Sequence, residues 1–199
     1  MIGFEEFEEQ AALIPYQYRH PRFLYGLIRW LRPQNIVEVG THLGMSAVWM
    51  ARALQENGPE GHLWCIDSFC WRDQPDQERD WNLHIDCCGV RETTTLLKGR
   101  SQEVQWPQKL DFAYIDGNHT YEVCRHDFEK AFGLGATCIV LNDTATCEGV
   151  RRYAADLRCS LPKWWDFLEV VFDAGLLVAL KKFEYPPCVQ GNVDPWDNQ

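Results

Sequence analysis

A chain of 199 residues is the usual size of one domain and is long enough to bury a substantial core. Hydrophobic residues make up 46% of it, with nine Trp and ten Phe, which excludes a disordered composition. The formal net charge of −10, with no Lys/Arg cluster to offset it locally, argues against nucleic acid and anionic membrane surfaces as partners.

At the start of the chain Glu5, Glu6, Glu8 and Glu9 stand among Phe4 and Phe7, without the basic start and apolar stretch of a secretory signal. No later segment approaches the roughly 20 apolar residues of a membrane span, so a cytoplasmic location is expected. The nine Cys are odd in number and none are paired as C-x-x-C, which reads as reduced thiols and gives no zinc-site spacing.

Apolar residues at helical spacing from Tyr16 to Leu31 predict a packing helix, stopped by Pro33. The run Asn35–Gly40, the turn Thr41-His-Leu-Gly44 and the stretch from Met45 to about Gln55 predict a strand, a glycine-rich turn and a helix. Further strands are expected at His62 to Ile66, ending on Asp67, and at Thr93 to Lys98. Between them Cys70 to Val90 reads as an insertion with a short helix, in which Trp71 and Trp81 either form a lid or sugar-stacking wall or are simply buried.

A fourth strand at Phe112 to Ile115 leads through Asp116-Gly-Asn-His119 into a helix from about Thr120 to Phe132. A fifth at Thr137 to Leu141 ends on Asn142-Asp143. A helix from Glu148 to Cys159 precedes a hairpin of Phe167–Phe172 and Leu176–Leu180 around Asp173-Ala-Gly175, and residues 186–199 read as a loosely held tail after a single domain of residues 1–185. Alternating strands and helices imply an α/β, Rossmann-like, doubly wound sheet of seven strands. The sheet is mostly parallel, with the C-terminal hairpin antiparallel.

Ligands of such sheets collect beyond the carboxyl ends of the strands. Gly40 and Gly44 let the backbone approach a ligand, and the helix starting near Met45 offers free N–H groups to an anion, either a carboxylate or a diphosphate. The G-x-x-x-G spacing differs from the dinucleotide fingerprint, and no Gly-Lys-Ser/Thr loop is present. Asp67 is placed to accept the hydroxyls of a ribose, the alternative being a solvated strand-end carboxylate.

Val37-Glu-Val-Gly-Thr-His-Leu-Gly-Met-Ser46, Cys65-Ile-Asp-Ser-Phe69 and Ile115-Asp-Gly-Asn-His-Thr-Tyr-Glu122, followed by Val140-Leu-Asn-Asp-Thr144, resemble in order the motifs of class I S-adenosylmethionine-dependent methyltransferases. The Asp-Gly-x-His-Thr-Tyr-Glu stretch is similar to a branch with macrocin-like and mycinamicin-like sugar O-methyltransferases and small glycan-associated enzymes. The resemblance spans about Asn35 to Lys181. It implies donor contacts from Glu38, Gly40, Thr41, Gly44, Ser46, Asp67, Ser68, Ser101 and Asp116. It also implies Mg²⁺ on Asp116, Asn142 and Asp143, with His119 as the base beside Asp116.

Where the branch often has an acidic residue or His, this chain has Asn142. The bland alternatives are a helix-capping Asp116, a turn at Asn142-Asp143 and a packing His119, and His42, His84 and His126 read as structural or exposed, with His126 paired to Glu122. The function expected is methylation of a small hydroxylated acceptor, a sugar among the candidates. The competing readings are a non-catalytic donor-binding module acting through a partner, and a hydroxylase-like relative of the same fold. The oligomeric state is left open, a homo-oligomer included.

Overall fold

The computed structural model describes residues 1–15, 18–70 and 75–182. Along them run α1 (Phe4–Ala12), α2 (His20–Leu31), β1 (Asn35–Val39), α3 (Met45–Asn57), β2 (His62–Asp67), α4 (Gln77–Cys87) and β3 (Thr94–Lys98). Then follow β4 (Phe112–Ile115), α5 (Tyr121–Gly133), β5 (Cys138–Leu141), α6 (Glu148–Ser160), β6 (Trp165–Val170) and β7 (Leu176–Lys181). The strands form one sheet in the order β3-β2-β1-β4-β5-β7-β6. β1 to β5 are parallel, and β7 runs antiparallel between β5 and β6.

Both faces of the sheet are covered, which is why its inner strands are almost wholly apolar. Ile36, Leu63, Cys65, Phe112, Tyr114 and Val140 point into the layer of α1 to α4. Val37, Val39, Ile66, Ala113, Ile115 and Ile139 point into the layer of α5 and α6. This alternation with a period of two is the sheet pleat itself, and a one-residue slip of any inner strand would exchange the two sets.

Some boundaries differ from expectation for local reasons. Helix α2 starts at His20 because Pro21, with no N–H to give, sits in its first turn. Arg91–Thr93 close a 3₁₀ turn, so β3 starts one residue late. Helix α1 was not signalled as such, yet Phe7 and Ala11 are buried on one of its faces. Trp81, on α4, is fully buried, so it is a core residue and no sugar-stacking wall. Trp71 and residues 186–199 lie outside the described residues. No helix among the described residues is long and apolar enough to cross a membrane.

The strand registers position the site. Val39 pairs with Ile66 and with Ile115, and Ile115 pairs with Leu141. The next residues, Asp67, Gly40, Asp116 and Asn142, therefore stand in one row across the carboxyl rim. Three backbone bonds stitch that row together: Gly40 N–H to Ile66 O at 2.8 Å, Asp116 N–H to Val39 O at 2.8 Å, and Asn142 N–H to Ile115 O at 3.0 Å. Between β1 and β4 the strand order reverses, and the two chain directions diverge to leave a crevice.

Candidate active site

A cleft of about 1260 Å³ opens over this rim. On its β1–β2 side the glycines decide the shape. Gly40 has φ +87°, and a Cβ on it would stand 2.1 Å from the Asp116 carbonyl oxygen, so the β1 and β4 loops touch only because no side chain intervenes. Gly44 has φ +86° and opens α3 without a side-chain cap, which leaves the first N–H groups of that helix available to a ligand.

Asp67 is held by the chain on both sides. Its Oδ2 accepts the His42 N–H at 2.8 Å and its Oδ1 the Phe69 N–H at 2.7 Å. Each carboxylate oxygen has a second acceptor site, and the residue lines the cleft, so a diol can be bound by a carboxylate that is already oriented. Below the loop, Glu38 is fully buried. Burial pushes its carboxyl up to about 7, against the opposing bonds from Ser46, Thr41 and Cys65. Trp81 Nε1 in turn donates to Thr41 Oγ1 at 2.9 Å, tying the glycine turn to α4.

The β4–β5 side is built from side chains. Asn142 Nδ2 donates to Asp116 Oδ1 at 2.8 Å, and the Tyr114 hydroxyl donates to Asp116 Oδ2 at 3.1 Å. His119 Nε2 lies 3.0 Å from Asp143 Oδ2 and 3.7 Å from Asp116 Oδ1. The two carboxylates, Asp116 first and then Asp143, push the imidazole up to about 10, while burial works the other way. The proton is thus held more tightly on this ring than on a free imidazole, between two carboxyl groups. Thr146 Oγ1 bonds Asp143 Oδ1 at 2.6 Å and holds that carboxylate in place.

A family model described as a methyltransferase domain matches residues 37–143, from β1 through the last of these carboxylates. The chain belongs to that methyltransferase family. No curated protein matches it. Among solved structures, a candidate O-methyltransferase from Klebsiella pneumoniae is 19% identical at a TM-score of 0.69, covering 92% of each chain. The O-methyltransferase TomG from Streptomyces achromogenes, in complex with S-adenosylmethionine, is 20% identical at 0.67, covering 92% of each chain. An O-methyltransferase from Bacillus cereus, in complex with S-adenosylhomocysteine, is 20% identical at 0.68, covering 92% of this chain and 93% of that one. At such identities the likeness is one of fold.

In this methyltransferase, Gly40, Thr41, Ser46, Asp67, Ser68, Ser101, Asp116, His119, Asn142 and Asp143 all line the one cleft. Glu38 lies beneath it, joined to it by the hydroxyl of Ser46, which donates to its carboxylate. Ser101 is engaged from behind. Its side chain bonds the buried Asp127, which also takes up His126 at 3.0 Å, so the partner of His126 is Asp127 and not Glu122. His84 is structural, bound at 2.7 Å to the Leu43 carbonyl.

The sequence reading missed the opposite wall. Tyr18 stacks on His20 at 5.3 Å, and His20 Nδ1 lies 3.5 Å from Asp173 Oδ2 in the β6–β7 turn. Burial lowers the proton affinity of His20. These residues are far from the rim in sequence and carry no motif, and only the folding of α2 and the hairpin over the cleft brings them there. Cys147 was missed as well, because the role of Gly149, two residues on, shows only in the packed structure, where a Cβ would stand 2.4 Å from the His119 carbonyl oxygen.

Proposed function

We propose that the protein is an S-adenosylmethionine-dependent O-methyltransferase acting on a small hydroxylated acceptor, with a sugar hydroxyl as the acceptor class. The observation that carries this reading is the division of one cleft into two unlike halves. Asp67 and the uncapped start of α3 suit the ribose and the methionine carboxylate of the donor. Asp116, His119 and Asp143 suit a hydroxyl that must lose its proton.

Methyl transfer from a sulfonium is an in-line displacement, so the protein has mainly to align the acceptor oxygen and assist its deprotonation. His119 is the proton acceptor in this scheme in its neutral form, reached once the imidazolium has given its proton to solvent. Asp116 and Asp143 stabilise the imidazolium that results from taking the hydroxyl proton, so turnover should rise with pH toward about 10. A divalent cation such as Mg²⁺ fits the same rim. Asp116 and Asp143 converge there, and Oδ1 of the buried Asn142 has no hydrogen-bond partner. Those three residues would hold it, and it would stabilise the developing alkoxide. Tyr18, half exposed at the cleft wall, offers an aromatic face for the apolar side of a pyranose.

The test is product formation from labelled S-adenosylmethionine over a panel of free and glycan-linked sugars. Methyl ether formation on a hydroxyl supports the reading. Saturable donor binding without a product on any acceptor would point instead to a binding module.

A further inference from the structure

Three donors of different chemistry meet at the β5–α6 corner. Asp143, at φ 61°, and Cys147 close one tight turn: the Cys147 N–H donates to the Asp143 carbonyl at 3.0 Å. That turn is tied to the β6–β7 loop by Thr144 N–H to Gly175 O at 3.2 Å and Ala145 N–H to Ala174 O at 3.0 Å. Gly149 then seats the first turn of α6 directly on the backbone after β4, since a Cβ there would lie 2.4 Å from the His119 carbonyl oxygen. The result is that one ligating atom from each of His119, Asp143 and Cys147 lies within 4.8 Å of the others.

We propose that His119, Asp143 and Cys147 bind a borderline-soft divalent cation of the Zn²⁺ class, with the Cys147 thiolate as the ligand that selects against Mg²⁺. Tetrahedral bonds of about 2.0–2.3 Å put ligand atoms roughly 3.5 Å apart, so the trio needs a closure of only about 1 Å. Thiolate and imidazole favour zinc or cobalt over magnesium, which takes oxygen ligands. The carboxylate and the thiolate together balance the two positive charges. Binding releases the thiol proton and any imidazolium proton to solvent.

A second observation is independent of the cysteine. Asn142 is only 6% exposed, its amide lies 3.3 Å from Asp143 Oδ2, and its Oδ1 is buried without a hydrogen-bond partner. The amide nitrogen is the end that faces Asp116 and Asp143, and an end-for-end turn of the amide, whose two ends have nearly the same shape, would aim the unpartnered oxygen at a cation in this corner. The site stands on this geometry and not on the methyl-transfer reading. If both hold, the ion takes the imidazole that the reaction needs and acts as an inhibitor.

The test is titration of the purified full chain with Co²⁺, followed by the thiolate-to-cobalt charge-transfer band. The expected result is a band that excess Mg²⁺ does not remove, that Zn²⁺ displaces, that C147S abolishes and that C159S, at an exposed cysteine, keeps. Zn²⁺ affinity should fall by more than about a hundredfold in C147S, since loss of a direct ligand exceeds the roughly 10–100-fold cost of losing an outer-shell partner, measured on protein whose circular dichroism matches the parent. X-ray absorption of the Zn²⁺ form should show one sulfur neighbour at about 2.3 Å. A band that survives C147S, no band in the parent protein, or a zinc shell of nitrogen and oxygen alone would overturn the proposal. None of these outcomes depends on donor binding or turnover.

Discussion

The two halves of the cleft are made in different ways. On the β1–β2 side the backbone makes the site: two glycines at positive φ, an uncapped helix and a carboxylate clamped by two main-chain N–H groups. On the β4–β5 side the same rim carries partly exposed side chains whose positions depend on one another's charge. A backbone site should resist changes of charge and fail under changes of shape, and a side-chain site should do the reverse.

The largest effect is expected from G40A. Its Cβ would lie 2.1 Å from a main-chain carbonyl that cannot yield cheaply, so the loss should reach about 4 kcal/mol or more in denaturant unfolding, with donor binding abolished. G44A meets only the Trp81 ring edge at 3.1 Å and should cost about 1–2 kcal/mol, chiefly for its left-handed backbone. Equal losses in the two variants would erase the distinction between contact with backbone and contact with a side chain.

On the other side, H119A should lower turnover by about 10²–10⁴-fold without weakening the donor. D67A should do the opposite, weakening S-adenosylhomocysteine by about 1.5–3 kcal/mol through the loss of charged hydrogen bonds. Stopped-flow turnover and calorimetry on both variants separate the halves directly.

The effects of pH on stability fall in two different windows. The His119 imidazole is raised from 6.5 to about 10, so its contribution is complete below pH 6.5 and is lost as pH rises through about 10. Glu38 is raised from 4.5 to about 7, so folding is favoured below pH 4.5 and that advantage goes as pH climbs through about 7. Melting temperature against pH should lose the upper slope in H119Q and the lower one in E38Q.

Much of the backbone half was legible in the sequence because glycine spacing and strand-end polarity are local signals. Gly40, Gly44 and Asp67 could be placed from a window of thirty residues. The β4–β5 residues were legible as candidates because Asp116, His119, Asn142 and Asp143 follow strands. What they do to one another was not, since the state of His119 depends on distances set by the register of β4 and β5. The wall of Tyr18, His20 and Asp173 and the corner at Cys147 were invisible for a further reason: they arise from packing between elements distant in sequence.

The most direct measurement is calorimetric titration of the parent, D67A and H119A proteins with S-adenosylhomocysteine. A single saturable site in the parent, weakened in D67A and unchanged in H119A, is the predicted result. No binding heat in folded parent protein, or a loss in H119A that D67A does not share, would contradict the division of the cleft.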